Sequence, residues 1–300
     1  GVARDKMTPN ELIRAILVAD VDLLWFGGIG AYIKATDENQ ADADDRANDA
    51  VRVDAKDLRC RVIGEGANLG VTQLGRIEYA RNGGRINTDF IDNSAGVDCS
   101  DHEVNIKIAL DDVISGGGMS PKRRDALLVK MTEEVSDLVL DDNYLQTQAI
   151  SQAEHRAPEL LEAQWRVIRA LERRGLLDRA IEELPDDEHM SDLQARGMGL
   201  TRPEYAVLFS NAKIALCGDL LATDVPEDAY LSKDLLRYFP EPLRKRFGTE
   251  VSRHRLRREI VATYVTNSLI NRVGAAFVHD LSERSGETPA DIVRAYVIAR

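Results

Sequence analysis

The stretch RINTDFIDNSAGVDCSDHEVNIK, residues 85–107, changes character halfway along. INTDFI (86–91) reads as a strand. HEVNIKIALDDVI, from His102 onward, reads as a helix that stops at Gly116-Gly117-Gly118. Between them lies a polar turn, Asn93 to Ser100, that includes Ser94, Gly96, Val97 and Cys99. In one reading the turn only joins strand to helix. Ser100-Asp101-His102-Glu103 then forms a capping box, with Ser100 accepting from the first helical turn. In the other reading it holds a ligand. Asn93, Ser94 and Ser100 can donate hydrogen bonds to a carboxylate or amide, and Gly96 permits close approach. The free N–H groups of a helix start also suit an anion, so Ser100 can serve both roles. His102, a lone histidine beside this turn, reads as structural or solvated rather than as a general base.

Upstream, helix and strand alternate. In TPNELIRAILVA (8–19), Thr8 is the N-cap, Pro9 the first helical residue and Glu11 the third residue after the cap. Leu12, Ile13, Ile16 and Leu17 follow at helical spacing. VDLLWF (21–26) and CRVIG (60–64) read as buried strands, and ADADDRANDAVRV (41–53) as an acidic, exposed helix. QLGRIEYARN (73–82) reads as a helix ended by Gly83-Gly84. This alternation implies an α/β unit with a parallel sheet and crossover helices. Ligands of such sheets bind beyond the carboxyl ends of the strands, here Gly27–Gly30, Glu65–Thr72 and Asn93–Ser100. Glu65-Gly66-Ala67-Asn68 is either a βα turn or a ligand contact. The Asn68 amide donates and accepts at once, which suits a carboxamide such as that of nicotinamide. WFGGIG (25–30) lacks the G-x-G-x-x-G spacing of a pyrophosphate loop.

Beyond residue 118 the pattern is helical. Ser120-Pro121 opens a helix with Leu127, Leu128, Met131, Val135 and Leu138 on one face. NYLQTQAISQAEHRA (143–157) and PELLEAQWRVIRALERRGLL (158–177) read as two further helices. TRPE (201–204) and TPAD (288–291) are helix starts, and 250–281 reads as one long helix. The expectation is an α/β domain over 1–118 and an all-α domain over 119–300.

Hydrophobic residues make up 44% of the 300, enough for a substantial core, and the net charge is -12. That acidity argues against a nucleic-acid or anionic-membrane partner, though not against a small acidic substrate. Three dispersed cysteines, Cys60, Cys99 and Cys217, fit reduced cytosolic thiols. No Cys or His pair has zinc-ligand spacing, so no metal is expected. Asp37, Glu38, Asp42, Asp44 and Asp45 read as a solvated face, and Arg253, Arg255, Arg257 and Arg258 as a salt-bridged helix surface. There is no signal peptide and no membrane-length apolar run. Both ends read as cuts in a longer polypeptide.

DLLWFGGIGAYIKA (22–35), RVIGEGANLGVTQLGRIEYARNGGRINTDFIDNSAGVDCSDHEVNIK (61–107) and LTRPEYAVLFSNAKI (200–214) together resemble the large bacterial NAD-specific glutamate dehydrogenases. The resemblance covers nearly the whole chain. EGAN (65–68) and NSAGVDCS (93–100) are also similar to the EGAN and NAGGVxVS segments of the smaller glutamate dehydrogenases. The resemblance implies a partial Rossmann-like sheet, half of an NAD-binding domain, within 1–118. It implies oxidative deamination of L-glutamate to 2-oxoglutarate and ammonia with hydride transfer to NAD. By motif position, Gly66, Ala67, Asn68 and Asn93 would contact the cofactor. Asn93, Gly96, Val97 and Ser100 would contact the substrate, with Ser100 on its side-chain carboxylate. A cytoplasmic homo-oligomer is implied as well.

There are departures. The family has Asn where this chain has Phe26, and the small enzymes' Gly-Gly is Ala95-Gly96 here. The family's acid–base lysine and aspartate are expected upstream of residue 1. No catalytic residue is therefore expected in this chain, which would be inactive alone. The competing readings are a dehydrogenase of another amino acid and a non-catalytic helical regulatory module.

Overall fold

The computed structural model describes residues 6–300. In chain order the elements begin with α1 (Pro9–Leu17), β1 (Leu23–Phe26), β2 (Ile33–Lys34), β3 (Val53–Asp54) and β4 (Val62–Glu65). They continue with α2 (Gln73–Arg81), α3 (Asp89–Asp92), α4 (Ser94–Ser115), α5 (Pro121–His155), α6 (Ala157–Arg173), α7 (Asp187–Ala195) and α8 (Arg202–Leu221). The last are α9 (Ser232–Tyr238), α10 (Glu241–Ser252), α11 (Arg257–Val273), α12 (Phe277–Ser285) and α13 (Pro289–Ala299). Among the described residues no strand follows β4, so an α/β region precedes an α-helical one.

Two compact units form. The first takes in the chain up to Ser94 together with Ile150–Leu208, and the second comprises Ala95–Ala149 and Phe209–Arg300.

In the first unit, α1 starts as the sequence indicates: Glu11 N donates to Thr8 Oγ1 at 3.3 Å and Thr8 N to Glu11 Oε2 at 2.9 Å. β1 pairs in parallel with β4, with Phe26 opposite Glu65, and β2 pairs in parallel with β3. Leu17, Phe26, Ile33, Val53, Ile63, Val71, Tyr79 and Ile86 form the core around these strands. Phe26 fills that core, stacked on Tyr32 with ring centroids 5.8 Å apart.

Several expectations are corrected here. No strand forms over the expected 86–91: a single bridge, Val62 to Arg85, precedes it, and the chain then turns into α3. Its polar side chains are drawn into buried bonds that an extended strand would break, as shown below. The acidic segment 41–53 is turns and a single 3-10 turn leading into β3 at Val53, not a helix. Its carboxylates serve loop backbone instead: Asp45 Oδ2 accepts from Ala31 N at 2.9 Å and Asp42 Oδ2 from Asn39 N at 2.6 Å. β1 is also less buried than an apolar run suggests, since Leu23 and Trp25 are exposed.

In the second unit, α9 packs on α10 and α11, and α13 on α11 and α12. The long helix expected over 250–281 is broken twice. His254 is buried and leaves the helical path: its Nδ1 accepts from Leu256 N at 3.1 Å and its Nε2 lies 3.1 Å from Asn105 O. Gly274, at φ 86°, ends α11. Two of the four arginines of the basic cluster form ion pairs, Arg255 with Asp112 at 3.2 Å and Arg258 with Glu227, and the cluster straddles the break between α10 and α11. The two helices expected over 121–157 are one, α5, of 35 residues. Among the described residues, no helix is long and apolar enough to cross a membrane.

Candidate functional site

Because β1 and β4 are parallel neighbours, their carboxyl ends lie side by side and release two adjacent loops, 27–30 and 66–72. The second loop is held by side chains. Glu65 is fully buried, and its carboxylate accepts from Arg76 Nε at 2.7 Å, from Arg76 NH2 at 2.9 Å and from Val71 N at 3.1 Å. Arg76 NH2 also reaches Asp89 Oδ1 at 3.2 Å. Burial alone would lower the Arg76 pKa, but the Glu65 bonds and the charges of Asp89 and Asp92 outweigh it and raise it.

The residues read as a third strand supply the remaining supports. Asp89 Oδ2 accepts from Leu69 N at 2.9 Å, and Asp92 Oδ2 from Glu65 N at 3.0 Å. Burial pushes the Asp92 carboxyl up, while bonds from Asn87 and Glu65 N–H partly restore it. Asn87 donates to Asp92 Oδ1 at 2.8 Å and accepts from Arg202 Nε at 3.1 Å. Leu69 is forced to φ 64°, a left-handed conformation unusual for leucine. Such strain persists only where surrounding bonds over-determine the backbone.

Of the cofactor-side candidates, Asn68 and Asn93 meet: Asn93 Nδ2 donates to Asn68 Oδ1 at 2.5 Å. Asn68 is exposed and Asn93 half-buried. The contact commits one donor and one acceptor. The Asn68 NH2 and the Asn93 carbonyl oxygen keep the donor–acceptor pair that a carboxamide needs. Gly66 has a different reason to be glycine. A Cβ there would stand 2.3 Å from Trp25 Cζ2, and one at Gly64 2.5 Å from Trp25 Cε3. The Trp25 indole therefore lies across both glycines, and an exposed tryptophan, not backbone torsion, fixes their size. Phe26, in place of the family's Asn, packs against Gly70, where a Cβ would stand 2.9 Å from its ring. Ala67 is half-buried, with its N–H donating to Phe26 O at 3.1 Å.

Gly96, Val97 and Ser100 belong to the second unit, in the first two turns of α4, and all three are exposed. Ser100 is not a helix cap. The helix starts at Ser94, seven residues before the Asp101 start that the capping box implies, and Ser100 Oγ donates back to Gly96 O at 3.0 Å. The hydroxyl thus sits on an exposed helical face with no structural duty beyond that back-bond.

The opposite face of the same turns is more buried and carries titratable groups. His102 is 2% exposed, stacked on Tyr238 at 4.4 Å, and its Nε2 lies 3.9 Å from Asp98 Oδ1. Asp142, on α5, brings a third potential ligand atom, all three within 4.8 Å of one another. Tyr238 is fixed by donating to Asp101 Oδ2 at 2.6 Å and accepting from Asn105 Nδ2 at 2.9 Å. Burial, then the charges of Asp142 and Asp101, push Asp98 up to about 7. Burial lowers His102, and it lowers the nearby Lys213 to about 8. The signal for this group, D-x-x-x-H at 98–102, escapes a search confined to Cys and His pairs.

Residues 1–153 match the family model described as bacterial NAD-glutamate dehydrogenase, catalytic domain, and 197–300 match that described as glutamate dehydrogenase, C-terminal. The chain is 52% identical over 300 residues to the NAD-specific glutamate dehydrogenase of Halomonas elongata, covering 100% of this chain and 19% of that protein. It is 52% identical over 299 residues to that of Pseudomonas aeruginosa, covering 100% and 18%. To that of Mycobacterium tuberculosis it is 48% identical over 292 residues, covering 97% and 18%. It therefore spans less than a fifth of the length of these relatives. With half of its residues inside the catalytic-domain model, the chain belongs to the bacterial NAD-glutamate dehydrogenase family.

Proposed function

We propose that this chain is part of an NAD-dependent glutamate dehydrogenase, which deaminates L-glutamate oxidatively to 2-oxoglutarate and ammonia. The observation that carries the reading is the Asn68–Asn93 contact at the carboxyl edge of β4, in the segments EGAN and NSAGVDCS. Family membership and relatives named as NAD-specific support the cofactor. In this reading residues 1–118 contribute half of a Rossmann-like cofactor domain and 119–300 a helical domain. The free donor and acceptor of Asn68 and Asn93 bind the nicotinamide carboxamide, and Gly66 and Ala67 line its approach. NAD itself supplies the hydride acceptor. Asn93, Gly96, Val97 and Ser100 take the substrate, with Ser100 donating to its side-chain carboxylate. The hydroxyl would exchange its back-bond to Gly96 O for that carboxylate, an exchange that an apolar side chain does not offer, which selects for glutamate. No residue of this chain is assigned proton transfer. That role falls to a lysine and an aspartate elsewhere in the polypeptide, and residues 1–300 alone are inactive. The reading includes a cytoplasmic homo-oligomer without nucleic-acid or membrane partners.

The test is NADH formation by the longest polypeptide that carries this sequence, with glutamate compared against a panel of amino acids. Turnover selective for glutamate, with Asn68→Ala raising the KM for NAD more than that for glutamate, is the expected result. Turnover on a different amino acid overturns the substrate assignment. A folded protein inactive on all of them points to a regulatory module.

A further inference from the structure

The group on the buried face of α4 is not used by the proposed reaction. Asp98 and His102 stand one turn apart, a spacing that aims both side chains at one point. Asp142 completes the group from α5, and the three ligand atoms lie within 4.8 Å of one another. Two of its atoms are anomalous for a protein interior. Asp98 Oδ2 and His102 Nδ1 are both buried without a hydrogen-bond partner. Orphaned buried polar atoms are uncommon. The contact between the two residues runs through the other atoms, Nε2 to Oδ1 at 3.9 Å, beyond hydrogen-bond reach, so the buried imidazole is left without a hydrogen-bonded partner at Asp98. Lys213 does not take that place. Its Nζ donates to Gln146 Oε1 at 3.1 Å and sits 4.4 Å over the Phe209 ring.

We propose that Asp98, His102 and Asp142 form a binding site for one divalent transition-metal ion. One imidazole nitrogen and two carboxylates suit ions of intermediate hardness such as Zn²⁺ or Mn²⁺, with water filling the remaining positions. The ion would pin α4 to α5 at the turns whose other face carries Gly96, Val97 and Ser100. Tyr238, stacked on His102 and tied to Asp101 and Asn105, holds the imidazole plane. Lys213 supplies a neighbouring positive charge that opposes the ion.

The experiment is calorimetric titration of chelator-treated protein, as the longest polypeptide carrying this sequence, with Zn²⁺ and separately with Mn²⁺. Metal content is measured after dialysis. One saturable equivalent per chain is expected for at least one of the two ions. Asp142→Asn, at an exposed position, should weaken its binding at least about tenfold. Lys213→Met should tighten it by about tenfold or more, because a competing charge is removed. Absence of saturable binding by both ions overturns the site. So does binding that Asp142→Asn and His102→Gln leave unchanged in folded protein.

Discussion

Arg76 and Glu65 form a bidentate ion pair with both side chains almost wholly out of water, at 2.7 and 2.9 Å. The pair links the end of β4 to α2, and through Asp89 it also holds Leu69 N. The loop that presents Asn68 thus hangs on one guanidinium. Removing one member leaves an uncompensated buried charge, which costs about 3–5 kcal/mol. Arg76→Met should lose about that much in chemical denaturation, and Arg76→Met combined with Glu65→Leu should recover part of it. A loss below about 1 kcal/mol for the single variant would show that the network does not brace the loop.

Leu69 is exposed and left-handed, so its side chain contributes little to offset the strain. Leu69→Asn, which tolerates that conformation, should stabilise the protein by about 1 kcal/mol, read from the denaturation midpoint. Leu69→Val, β-branched, should destabilise it. If both variants behave like the parent, the strain is not borne at this residue.

Ser100 now admits a sharper test than its sequence allowed. Since it lies inside α4 and does not cap it, Ser100→Ala should change stability by less than about 0.5 kcal/mol. Under the proposed function, the same variant in the longest polypeptide should raise the KM for glutamate severalfold and leave that for NAD nearly unchanged. A large loss of stability, or equal effects on both KM values, would remove Ser100 from the substrate site.

His254 is built for its neutral form, with one nitrogen accepting from Leu256 N and the other turned to Asn105 O. Burial lowers its pKa from the ordinary 6.5, while Asn105 O and the charges of Asp112 and Glu259 oppose that and Arg255 adds to it. The unfolded chain therefore binds this proton more readily than the folded one. Its contribution is complete above about pH 6.5 and is lost as pH falls below that value. Stability measured from pH 7.5 down to pH 5 should decline less steeply in His254→Gln than in the parent. Parallel slopes would assign the acid sensitivity to other groups.

Local signals carried much of this far. Thr8, Thr201 and Thr288 mark helix starts because a cap and its acidic partner are a few residues apart, and each of these contacts forms. Apolar runs located β1 and β4, Gly83-Gly84 marked the end of α2, and the EGAN and NSAGVDCS segments disclosed the family. Tertiary structure decided what depends on distant neighbours. Residues 86–91 read like a strand, yet the chain coils into α3, where Asp89 and Asp92 accept from Leu69 and Glu65 N–H. His254 breaks a helix because its nitrogens bond Asn105 and Leu256. Gly66 is small because Trp25 lies over it. Ser100 lost its cap because α4 extends to Ser94. The sequence alone set the family and the local helix starts, since both are written in contiguous residues. The brace behind Asn68 and the Asp98–His102–Asp142 group join residues many positions apart, and only the folded chain brings them within bonding distance.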